Sequence, residues 1–87
     1  MYQVHILDEA ARELEQLDKS IYNRIVQKIR WLAANLEQIK IEKLSGDLAE
    51  FYKLRVGDYR IIYEIIHSEK IIIIHAIGHH NKIYRKK

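Results

Sequence analysis

Three cations fall close together in the stretch FYKLRVGDYRIIY, residues 51–63: Lys53, Arg55 and Arg60. Further along, His75, His79, His80 and Tyr84 add groups able to move a proton or stack on a base. Lys, Arg, His and Tyr are the side chains that metal-free cleavage of an RNA phosphodiester requires. The adjacent 2′-OH attacks phosphorus, so one group must take its proton. Cations must stabilise the charge on the phosphate oxygens, and another group must protonate the leaving 5′ oxygen. Lys53, Arg55 and Arg60 would hold the phosphate, while His80 or Tyr84 would move protons or stack a base. The same cations would equally suit a face that binds an anion and cuts nothing.

Other chemistries find less support. The chain has five histidines and no cysteine, and no HExxH or carboxylate at a partnering spacing accompanies His75, His79 and His80. Asp58 and Glu64 have no matching partner in sequence. Gly-rich phosphate loops, a serine nucleophile elbow and a glycosidase-type carboxylate pair are all missing. No metal and no cofactor is therefore expected.

The cations need a scaffold, and local pattern supplies one. Gly57-Asp58 is a two-residue hairpin signal, since Gly at the first loop position supplies the positive φ of a type II′ turn. Val56 then faces Tyr59, Leu54 faces Ile61 and Tyr52 faces Tyr63. On the other face Arg55 lies opposite Arg60, and Lys53 opposite Ile62. Opposed like charges cost roughly 0.2–1 kcal/mol, which marks this as an anion-binding face behind a core face. A last strand over 70–77 follows a turn at 67–70. Pairing Ile66 with Ile71 puts Ile62 opposite His75 and Arg60 opposite Ile77, bringing His75 to the cationic face unless a bulge intervenes. Gly78 should release the chain, letting a tail with His80, Lys82, Tyr84 and Arg85 fold back across that face.

Upstream, YQVHIL (2–7) alternates as a first strand, with His5 structural. Asp8 is the expected N-cap of a helix carrying Ala10, Leu14 and Leu17. After a break at Asp18-Lys19-Ser20, Ile21, Ile25, Ile29, Leu32 and Leu36 form the apolar stripe of a second helix ending near Gln38. Trp31 packs its edge. Ser45-Gly46-Asp47 marks a turn, with Leu44 and Leu48 as anchors. The reading is α+β, in the order β-α-α-β-β-β: a small, mainly antiparallel sheet with an N-terminal helical hairpin on one face.

Composition agrees with one domain of 87 residues. No apolar run approaches the roughly 18 residues of a membrane span, and the N-terminus lacks secretory-signal features. The absence of cysteine fits the cytoplasm. The net charge of +3 is uneven: residues 1–50 hold seven Lys/Arg and nine Asp/Glu, residues 51–87 eight and three. A polyanion would meet the second half.

KLSGDLAEFYKLRVGDYRIIYEI, followed by IIIIHAIGHHNKIYRK, resembles the RelE/ParE toxin superfamily of bacterial and archaeal toxin–antitoxin systems. The likeness spans the chain, including the helical hairpin, the LxG turn, the YRIIY strand and the terminal GHxxxIYR. RelE-type members cut messenger RNA in the ribosomal A site, leaving a cyclic phosphate and a 5′-OH; ParE-type members share the fold and poison DNA gyrase. Lys53 matches an active-site lysine, Arg55 stands where a second lysine is usual, Arg60 matches the strand arginine and Tyr84 the C-terminal tyrosine. His80 replaces a common arginine. A related branch combines a Glu, a strand Arg and a terminal His, and Glu42 lies near that glutamate's place, a candidate general base. The resemblance implies a catalytic set of Lys53, Arg55, Arg60, His80 and Tyr84, with His75, Lys82 and Arg85 as substrate-binding residues. It also implies a cognate antitoxin partner, and the ribosome and messenger RNA as targets.

Overall fold

In a computed structural model, which describes residues 1–44 and 50–83, the chain folds as β1 (Gln3–Ile6), α1 (Asp8–Glu15), α2 (Lys19–Asn35), β2 (Glu42–Lys43), β3 (Tyr52–Val56), β4 (Tyr59–Ile66), β5 (Ile71–His79) and α3 (His80–Ile83). The expected α+β order is present. The pattern had not revealed the two-residue β2 or the single turn α3. The turn expected at Ser45-Gly46-Asp47, with Leu48, lies outside the described residues, as do Tyr84 and Arg85.

The five strands run in the order β1-β5-β4-β3-β2. Every pair is antiparallel except β1 with β5, which are parallel, Gln3 standing against Ile71 and Ile6 against Ile74. β5, the last strand in sequence, therefore sits inside the sheet.

Core burial follows the apolar spacing. Ala10 and Leu14 from α1, and Ile25, Ile29, Leu32 and Leu36 on the α2 stripe, are buried against Ile61, Tyr63, Ile72, Ile74 and Ile77 of the sheet. Burying each large apolar side chain is worth about 1.5–3 kcal/mol. Burial also pushes the Tyr63 phenol up to about 12, so it packs as a neutral ring. The capping differs from expectation. Asp8 opens the first turn of α1 instead of capping it: Leu7 is the cap residue, and no side chain bonds there. Asp8 and Glu9 meet the positive end of the helix dipole instead. α2 stops at Asn35, short of Gln38. His5 is exposed on β1 and belongs to no core. Trp31 is also exposed, with the Lys28 ammonium 4.0 Å from its ring centre.

The β3–β4 register matches the expectation at all five pairs, from Tyr52 with Tyr63 to Val56 with Tyr59. Gly57 has φ of +58°, and Asp58 is not in the left-handed region, as a II′ turn requires. The β4–β5 register departs. Ile66 faces Ile71, but a bulge in β5, opposite the Ile62–Tyr63 step of β4, leaves His75 without a partner. Ile62 then faces Ala76, not His75, and Arg60 faces Gly78, not Ile77. Nor does Gly78 end the strand, which continues to His79. α1 seals the far side of β5, where the Glu13 carboxylate accepts the Ile77 N–H at 2.9 Å.

A Cβ at position 57 would combine a left-handed backbone with an approach of 3.0 Å to Arg24 Nη2. Gly57→Ala should therefore lower stability by about 1–2 kcal/mol, mostly from the backbone term. Urea unfolding would measure it, and an unchanged midpoint would refute the turn assignment.

Candidate functional site

The pairings set out two rows on the face turned away from the helices. Glu42, Lys53, Ile62 and Ala76 form one; Arg55, Arg60 and Gly78 form the next. Ile62 is buried yet lies outside the main core cluster, as a floor residue of this second face should.

The opposed arginines escape each other by turning in different directions. Arg55 reaches sideways to β2, donating from Nε to Glu42 Oε1 at 3.2 Å and from Nη2 to Oε2 at 2.8 Å. Lys53 Nζ lies 3.3 Å from the same Oε2. Arg60 turns back to the hairpin loop, where Nη1 donates to the carbonyls of Gly57 and Tyr59, both at 2.8 Å. Those bonds fix the guanidinium by one nitrogen. Among the described residues, no carboxylate pairs with it and its Nε and Nη2 bond nothing. A fork held at one corner and open at the others is suited to a phosphate.

Glu42 is more than a loop charge. It stands in β2 opposite Lys53, bonded to two of the three cations. The hydrogen bond from Arg55, helped by Lys53, holds its carboxyl below the ordinary glutamate value of 4.5. Glu42, Lys53 and Arg55 also line a cleft of about 210 Å³ at this edge, together with Lys28, Trp31 and Lys40.

His80 opens α3 at the same end of the sheet as the arginine row. Its N–H donates to the Asp58 carbonyl at 2.9 Å, two residues before Arg60 in the chain. The His80 ring stacks on His79 with centroids 4.7 Å apart, and His79 meets Tyr59 edge-on at 5.6 Å. Ile83 covers Gly78, where an added Cβ would already touch it at 3.6 Å. Lys82 is placed elsewhere: with Glu13, Leu17, Tyr59 and His79 it borders a cleft of about 290 Å³ between α1 and the sheet.

His75 reaches the cationic face by a route other than the simple register. The bulge frees it from pairing, and its Nε2 lies 2.9 Å from Glu64 Oε1 while Phe51 meets its ring at 4.8 Å. Glu64, which has no partner at any regular sequence spacing, thus has one in space, and Phe51 joins the face unannounced by the sequence. The signal that could have found both is their parity, since 51, 53 and 55 alternate together, as do 60, 62 and 64. Among the described residues, no three metal-ligating side chains converge.

The description of the ParE toxin of the type II toxin–antitoxin system parDE matches residues 4–84. A RelE-like toxin protein of Escherichia coli is 33% identical over 79 residues, covering 88% of this chain and 81% of that protein. The toxin RelE1 of Methanocaldococcus jannaschii is 28% identical, over 97% of this chain and 96% of its own. In fold, a chain of the RelBE2 toxin–antitoxin complex of Mycobacterium tuberculosis superposes with a TM-score of 0.81 at 25% identity, covering 90% of this chain and 96% of that one. The isolated RelE toxin of E. coli gives 0.77 at 19% identity, over 99% and 94%. With the helices on one face of the sheet and the cations on the other, the sequence and the architecture agree: the chain belongs to the RelE/ParE family of type II toxin–antitoxin toxins.

Proposed function

We propose that the chain is a ribosome-dependent endoribonuclease that cuts messenger RNA in the A site, held in check in the cytoplasm by a cognate antitoxin. The observation that carries this reading is the Arg60 fork, fixed to the hairpin loop and open beside Lys53 and Arg55. The phosphate enters between the rows, displacing part of the Glu42 ion pair. Arg60 and Arg55 take its oxygens, and Lys53 adds charge as the pentacovalent state forms. Glu42, ionised among these cations, accepts the 2′-OH proton. His80, tethered to Asp58, gives a proton to the leaving 5′ oxygen. The bond from phosphorus to the 5′ oxygen breaks as that to the 2′ oxygen forms, leaving a cyclic phosphate. Tyr84 and Arg85 follow α3 directly, and their part is to stack and to hold the adjoining nucleotide. The M. tuberculosis neighbour is a toxin–antitoxin complex; a protein partner that covers this face would block RNA by occupancy alone.

Induction in cells followed by primer extension on translated messages tests the reading. Wild type should give cuts within A-site codons, and Arg60→Ala should lower them at least about a hundredfold, the scale for loss of one charge-stabilising donor. Growth arrest with intact messages would sink the proposal. It would favour the second reading, a gyrase poison, which the match to the ParE description supports; gyrase–DNA cleavage complexes would then accumulate.

Glu42 makes two further predictions. Glu42→Gln removes the proton acceptor together with a countercharge, so cleavage should fall about a hundredfold while affinity for RNA rises. A parallel fall in both would leave Glu42 a structural role only. Its lowered pKa means the Arg55–Glu42 pair stabilises the fold above the ordinary carboxylate value and is lost as pH falls through the depressed one. Carboxyl-carbon NMR titration should place Glu42 below 4.5, and Arg55→Ala should move it up towards that value.

A further inference from the structure

β2 pairs with β3 only at Glu42–Lys53 and Lys43–Tyr52, and the connection from α2 to β2 runs free of the sheet. The cleft of about 210 Å³ opens at this place, lined by Lys28 and Trp31 of α2, Lys40 of the connection, and Lys53 and Arg55 of β3. Four of its lining side chains are cationic and one, Glu42, is acidic. Glu42 is already engaged with Lys53 and Arg55. Among the described residues, no carboxylate pairs with Lys28 or Lys40. Trp31 stands off the buried stripe of α2 and is 41% exposed, with the Lys28 ammonium 4.0 Å from its ring centre. An indole in that position adds little to the core, but it brings an aromatic surface to a cationic cleft.

We propose that this cleft is a second RNA subsite, in which Lys28 and Lys40 hold a backbone phosphate and Trp31 stacks on a base beside the phosphate to be cut. This rests on the RNA reading above and extends it to the path of the strand. The cleft shares Lys53 and Arg55 with the phosphate-binding rows, so a strand held at the rows continues into it without leaving the cations. Its volume falls below the roughly 300–1,000 Å³ of pockets that enclose a small molecule, which suits one unit of a longer chain. The surplus of positive charge draws a polyanion. The aromatic ring among the cations favours nucleic acid over an acidic protein segment, because every base offers a face to stack. Lysine ammonium groups and stacking read no particular base, so the subsite adds affinity and leaves sequence choice elsewhere.

The test uses fluorescein-labelled 2′-O-methyl RNA nonamers, which bind but cannot be cut, with fluorescence anisotropy read across a salt series. Lys28→Ala/Lys40→Ala should reduce the slope of log affinity against log salt by about 1.4, or about 0.7 per cation. Arg12→Ala/Lys19→Ala, which removes the same charge from α1 and the start of α2, should leave the slope as it is. Trp31→Leu should weaken the nonamer about tenfold without changing the slope, and Trp31→Phe should keep most of the affinity. An abasic nonamer should bind wild type and Trp31→Leu alike. If the Lys28/Lys40 variant binds as wild type does while Arg60→Ala binds more weakly, the subsite falls and the RNA reading stands. If that variant binds RNA normally but loses a glutamate-rich peptide that wild type holds, the cleft belongs to an acidic protein segment and the proposal is overturned. If wild type binds no nonamer, both readings fall. The expected losses in a protein that leaves translated messages intact support the subsite and remove the nuclease reading.

Discussion

Two guanidinium groups placed directly across a strand pair repel each other, and this fold has to accommodate that at Arg55 and Arg60. The solution is divergence. Arg55 leans outward to a carboxylate on the edge strand, while Arg60 bends back onto backbone carbonyls of its own hairpin loop. Each half of the solution recruits another part of the molecule. The short β2 exists on the sheet edge where Glu42 can meet Arg55 and Lys53. The loop that receives Arg60 is the same one whose Asp58 carbonyl receives the N–H of His80. One unfavourable pair therefore organises the edge of the sheet and the start of the C-terminal segment.

The sheet's two faces are kept distinct by chemistry as well as by geometry. The helix side closes over isoleucine, leucine and Tyr63, where an ionisable group could not remain charged. The other side carries charge of both signs but arranges it in order: Glu42 among cations at the edge, Glu64 bound to His75 nearer the centre. The bulge at His75 matters because β5 would otherwise place successive residues on alternate faces from end to end. By absorbing one residue it lets Ile77 return to the core while His75 still reaches the charged side.

Much of this was legible in residue order. Gly57-Asp58, flanked by alternating apolar positions, determines the hairpin and with it the Arg55–Arg60 opposition. The stripe from Ile25 to Leu36 determines the buried side of α2. What escaped is of a specific kind. The run Ile71–Ile74 is apolar at every position, so no alternation marks the strand's parity or the place where it slips. β2 has only two residues, too short for any periodicity, so Glu42 looks like loop charge until its strand partner is seen. The direction of β1 leaves no trace in YQVHIL, because parallel and antiparallel neighbours accept the same side chains. Asp8 illustrates another gap: its type favours either the cap or the first turn, and only the backbone decides between them.

The place of β5 has a bearing on how the molecule is made. It is the last strand in chain order, yet it pairs with β1 on one side and β4 on the other. A growing chain that has emerged only as far as Ile66 can form the helices and the β3–β4 hairpin, but it lacks the strand on which α1 and β1 both rest. Such contacts between distant parts of a chain slow folding. His80 cannot reach the Asp58 carbonyl before β5 has docked either. Until β5 docks, the charged face is incomplete, because His75 and the His80 tether to Asp58 both depend on that strand.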